Sequence, residues 1–101
     1  RLTTPEGGKL DLFLTEFGYL RSGKQKLSES NRAKYIRQGY DMALKHPRVR
    51  QMLHFLLVQP AKKYRFFDTS LVSQGGGRTP TFNALRDWAE DNLARIAAPG
   101  R

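Results

Sequence analysis

A chain of 101 residues has room for one small domain. Its 39% apolar and 27% charged residues are globular values, and no run approaches the ~18 apolar residues of a membrane span. There is no cysteine, so a disulfide framework and a thiolate metal site are excluded.

The first segment, Arg-Leu-Thr-Thr-Pro-Glu-Gly-Gly, has no signal-peptide profile and reads as a loop within a longer chain. Residues 9–17 form a nearly continuous apolar run bounded by Gly7-Gly8 and Gly18, the pattern of a strand covered on both faces. The run ends in Thr15-Glu16-Phe17-Gly18. Parallel α/β sheets and barrels place their chemistry at the carboxyl ends of strands. Glu16 is therefore a candidate catalytic carboxylate; the alternative is a solvated charge that opens a loop.

Residues 20–27 are polar, with Ser22-Gly23, and read as a loop. A helix over 28–46 follows, with Ser28 as N-cap and Glu29 in the first turn, where the helix dipole favours an anion. Ala33, Ile36, Tyr40, Ala43 and Leu44 give it one apolar stripe, while Arg32, Lys34, Arg37, Gln38, Asp41 and Lys45 take the polar face. His46-Pro47 stops it, and Gly39 marks close packing on a neighbour. The second apolar run, 49–58, ends before Gln59-Pro60 and predicts another strand. His54 within it reads as a packed core or inter-layer histidine. A loop carrying Asp68-Thr69-Ser70 and the turn Gly75-Gly76-Gly77 leads to a helix over 79–96. Thr79 is its N-cap and Pro80 its first residue, and its apolar stripe is Phe82, Leu85, Trp88, Ala89, Leu93 and Ile96, with Trp88 in the core.

The order strand, helix, strand, helix gives an α/β segment with parallel strands. Two such strands leave both sheet edges open. The expectation is completion by the rest of the same protein, by a second chain, or by self-association. The glycine turn does not follow a strand, and Arg78-Thr79-Pro80 is not the P-loop ending. With no dinucleotide fingerprint and no metal-ligand spacing, no cofactor or metal is expected.

The segments resemble, in order and spacing, the end of a known family. Leu-Phe-Leu-Thr-Glu-Phe-Gly-Tyr (12–19) resembles strand seven of the retaining (β/α)8-barrel glycoside hydrolases, the clan that includes the family-five cellulases. Asn-Arg-Ala-Lys-Tyr-Ile (31–36) resembles its seventh helix, and His-Pro-Arg-Val (46–49) the run into strand eight. Phe-Asp-Thr-Ser-Leu-Val (67–72), with the glycines and Thr-Pro-Thr-Phe-Asn-Ala-Leu (79–85), resembles the closing loop and eighth helix. The resemblance implies the C-terminal quarter of a TIM barrel and a hydrolase acting on a carbohydrate through a glycosyl-enzyme intermediate. It makes Glu16 the nucleophile. Tyr19, after the turn, is a candidate substrate contact or else a packed loop aromatic, and Gln59 is the second candidate contact; Val58-Gln59-Pro60 stands where many members carry a sugar-platform tryptophan.

Retention needs a second carboxyl group about 5 to 5.5 Å from the first. By resemblance it belongs to strand four, outside this chain. Asp11 lies five residues before Glu16, or ~16 Å along a strand, and Asp68 sits on a loop that nothing in the sequence brings to Glu16. The other reading is a small basic α/β binding or assembly module, in which Glu16 is incidental. The net charge is +9, and the densest basic cluster is Lys62, Lys63 and Arg65, interleaved with Tyr64, Phe66 and Phe67. Such a patch suits phosphates and bases, but the basic residues elsewhere are scattered. The expectation is a solvated loop whose aromatics turn inward, either solvating the barrel rim or contacting an acidic glycan, and neither nucleic acid nor membrane is the expected partner.

Overall fold

A computed structural model describes residues 2–98. Its elements are strand β1 (Leu12–Phe17), helix α1 (Glu29–Lys45), strand β2 (Val49–His54), a 3-10 turn (Lys62–Tyr64), helix α2 (Pro80–Asp91) and a short helix α3 (Leu93–Ile96). The two strands pair in parallel, with Leu12 opposite Val49, Leu14 opposite Met52 and Phe17 opposite His54. The α/β class, the parallel pair and the helix between its strands are as the sequence predicts.

Both helix starts form as their cap residues dictate. The Ser28 hydroxyl accepts from the Asn31 amide at 3.2 Å, and the Thr79 hydroxyl accepts from the Phe82 amide at 3.1 Å. Pro80 begins α2, where its missing N–H costs nothing. Ile36, Leu71 and Ala84 are the buried centre of the core, so it lies between α1, α2 and the loop that returns from β2. Trp88 joins it, donating from its indole nitrogen to Asp41 at 2.7 Å. Phe17 docks on α1: a Cβ at Gly39 would stand only 2.6 Å from the end of its ring, so the glycine is what lets the helix approach the strand.

Several boundaries differ from expectation. β1 begins at Leu12 rather than residue 9, because Lys9 instead bridges Thr3 across the turn closed by Thr4 and Gly7. β2 ends at His54 rather than residue 58. Beyond it the chain bends at Phe55 and Leu57 and leaves the sheet: Leu57 O accepts from Leu71 and Val72, and the Gln59 amide donates to Val72 O at 2.8 Å. The last helix, predicted as one piece over 79–96, breaks at Asn92, leaving Leu93 and Ile96 exposed. The strands are not covered on both faces. Phe13, Leu14 and Leu53 are exposed, and among the described residues β1 and β2 form a sheet of only two strands.

Arg32 corrects the reading of α1 most sharply. It is completely buried rather than on a solvated face. Its guanidinium donates to the carbonyls of Tyr19 (3.0 Å), Thr69 (3.0 Å) and Ser70 (2.9 Å), and pairs with Glu29. One side chain thus ties α1 to the loops that follow both strands. Glu29, in turn, accepts from the Thr81 hydroxyl at 3.1 Å, joining the start of α2 to the same knot.

Candidate functional site

Side chains alternate across a strand. Phe17 faces α1, packing on Gly39 and edge-on to Tyr40 at 5.9 Å between ring centres. Glu16, its neighbour, lies where the strand pairing is irregular, between the Leu14 and Phe17 pairs. It is exposed at the carboxyl end of β1 and lines a cleft of about 140 Å³ with Phe17, Gly18, Phe55, Phe67 and Thr69. It is the only carboxylate in that lining.

The cleft wall is held by the backbone. The Phe55 amide donates to Phe17 O at 2.8 Å, so the residue after β2 is locked beside the end of β1. The Thr69 hydroxyl donates to Phe55 O, and the Phe55–Leu56 peptide bond is cis. The Phe55 and Phe67 rings stand 6.3 Å apart, tilted by 48°. Gly18 lies under this wall, where a Cβ would be 2.6 Å from the Phe55 carbonyl oxygen and 2.9 Å from Thr69 Cβ. Those neighbours are backbone and a β-branched residue, neither free to swing aside. Gly18→Ala is expected to lose about 1–3 kcal/mol and several degrees of melting temperature. A thermal melt of the variant checks this; an unchanged midpoint would show that the turn has room to spare.

Asp68, Thr69 and Ser70, which the sequence offers as a loop, are 1%, 3% and 0% exposed. The Asp68 carboxylate accepts from the Ser70 hydroxyl at 2.6 Å, the Ser70 amide at 2.9 Å and the Gln59 carboxamide at 3.0 Å, with Arg21 at 3.9 Å. Burial pushes its carboxyl up, but those hydrogen bonds and the Arg21 charge outweigh the burial and hold it below its ordinary value. His54 Nε2 donates to Thr69 O at 2.7 Å. Burial holds this imidazole below its usual value; the Arg32 charge acts the same way, and the Thr69 carbonyl only partly offsets them.

Both groups bind fewer protons in the fold than in the unfolded chain, so stability rises with pH across each titration. The His54 contribution is complete above pH ~6.5 and is lost as pH falls below it; that of Asp68 is complete above ~3.9 and is lost on further acidification. Melts at pH 8, 5.5 and 3 should show a midpoint falling in two stages, with His54→Gln flattening the first. A midpoint that rises on acidification would contradict the assignment.

The structure does not bring the other sequence candidates into this cleft. Tyr19 is half-buried between Phe17 (5.3 Å) and Tyr35 (5.9 Å). Gln59 spends its carboxamide on Asp68 and on the Gln74 amide. Asp11 pairs with Arg50 at 3.1 Å. The sequence reading missed Phe55 and Phe67, and the signal available was their aromatic character just after β2 and just before the buried Asp68. A larger cavity of about 210 Å³ lies between β2 and the helices beside Tyr40, Met52 and Trp88, and no carboxylate lines it. Among the described residues no group of acidic and histidine side chains has the arrangement to hold a metal, and no helix is long and apolar enough to cross a membrane. No model of a known protein family matches the chain, and no curated protein matches it.

Proposed function

We propose that this chain is the β-α-β-α quarter of a retaining (β/α)8-barrel glycoside hydrolase and that Glu16 is its nucleophile. The observation that carries the reading is Glu16 itself: an exposed carboxylate at the carboxyl end of a parallel strand, in a cleft with the Gly18 turn and the Phe55 and Phe67 rings. The exposed apolar residues of the two strands, Phe13, Leu14 and Leu53, support completion by further strands.

The chemistry proceeds in two displacements. Glu16 attacks the anomeric carbon while the acid/base, supplied from outside this chain, protonates the departing oxygen. Water, deprotonated by that same group, then cleaves the glycosyl ester and restores the original configuration. Phe55 and Phe67 offer apolar faces to the sugar, taking the role the sequence gave to Tyr19 and Gln59.

A 2-deoxy-2-fluoroglycosyl fluoride tests the reading in the full-length protein. Fluoride departs without acid assistance, and the fluorine at carbon two slows breakdown of the ester, so the intermediate accumulates. Peptide mapping should find one sugar on Glu16. A label on another carboxylate, or none across a panel of hexosyl and pentosyl fluorides, would overturn it. An absent label combined with binding of an anionic polymer through residues 62–65 would favour the basic-module reading instead.

A further inference from the structure

The loops that follow the two strands meet at the same end of the sheet as Glu16. The Ser22 hydroxyl donates to Arg65 O at 2.5 Å, and Gly23 lies against Phe66 O. Residues 19–27 and 55–67 contain no acidic residue. Lys24 and Lys26 stand on the first loop, Lys62 and Lys63 on the second, and none of the four makes a salt bridge among the described residues. Arg65 donates only to neutral groups, Pro60 O and the Gln74 carboxamide, so its charge is not cancelled.

The aromatics of the second loop do not turn inward, contrary to the expectation from sequence. Tyr64 is 54% exposed, Phe66 79% and Phe67 50%. The Lys63 ammonium stands 4.8 Å from the centre of the Tyr64 ring, which puts a cation beside an open aromatic face. Phe67 belongs both to this loop and to the Glu16 cleft, so the rim and the cleft are one continuous surface.

From these features, we infer that the rim binds an anionic polysaccharide, whose sugars stack on Tyr64 and Phe66 while their carboxylates or sulfates meet the lysines. The inference rests on the glycosidase reading of Glu16 and names the substrate class of that site. Charge complementarity alone would equally suit a nucleic acid. Continuity with the Glu16 cleft decides for the glycan, because the chemistry proposed for that cleft acts on a sugar.

Affinity electrophoresis of the full chain tests it, with polygalacturonate and dextran sulfate in the gel against their neutral counterparts, methyl-esterified polygalacturonate and dextran. Retardation is expected in at least one charged gel and in neither neutral one, weakening as salt is added. Lys62→Glu with Lys63→Glu should abolish it. Tyr64→Ala with Phe66→Ala should weaken it about a hundredfold, tenfold for each of the two lost stacking contacts. These four side chains are exposed, and a thermal melt of each variant confirms the fold. Equal retardation by charged and neutral glycans, indifference to the aromatic substitutions, or tighter retention by single-stranded DNA would each overturn the inference. The two readings fail separately. Neutral-glycan binding with a labelled Glu16 keeps the nucleophile and discards the anionic class; anionic-glycan binding with Glu16 unlabelled keeps the rim and discards the hydrolase.

Discussion

Arg32→Met should destabilise the fold by about 3–5 kcal/mol, the range for removing one partner from a buried charge network. Methionine fills much of the same space, so the loss comes from polarity rather than from a void. The carbonyls of Tyr19, Thr69 and Ser70 lose the buried Arg32 donor; Thr69 O keeps His54, and each group left unsatisfied costs about 1–3 kcal/mol. Glu29 loses its ion pair but is partly exposed and regains water. Arg32→Lys should fall between the two, because one ammonium cannot span what the planar fork reaches. Chemical denaturation of the full-length protein measures both. A wild-type midpoint for Arg32→Met would mean that the loops after β1 and β2 are held by something else.

The same residue shows where sequence patterning runs out. Arg32 looks like one more cation on a polar helix face, yet it stands four residues before Ile36 and therefore shares the buried stripe. Charge overrode spacing in the reading, whereas in the fold the stripe decides and the charge is met by three carbonyls and by Glu29. Asp68-Thr69-Ser70 misleads in the same way. Its polar residues suggest a surface loop, but Asp68 turns back on Ser70 and the segment satisfies itself inside the protein. The end of β2 was illegible for another reason. Residues 55–58 are as apolar as those before them, and only the pairing of Leu57 with Leu71 and Val72 shows that the chain has left the sheet.

Features set by local chemistry were legible. Ser28 and Thr79 cap their helices, Gly39 admits Phe17, and Trp88 is buried. The position of Glu16 was legible too, since a carboxylate ending an apolar strand before a glycine is unusual on any reading. The aromatic wall beside it was not, because Phe55 and Phe67 reach the cleft only through contacts between Phe17, Phe55 and Thr69 that are distant in sequence.

Glu16→Gln in the full-length protein is expected to reduce hydrolysis by several orders of magnitude with little change in stability. The amide keeps the shape of the side chain but removes the attacking charge, and an exposed residue contributes little to packing. The more direct measurement is Glu16→Gly assayed on a dinitrophenyl glycoside with and without azide. Removing the side chain opens the face from which the nucleophile attacks. Azide should restore turnover in proportion to its concentration and give a glycosyl azide of inverted configuration, since the ion displaces the phenolate in a single step. A folded Glu16→Gly protein that hydrolyses the glycoside at the wild-type rate without azide would contradict the assignment of Glu16 as nucleophile.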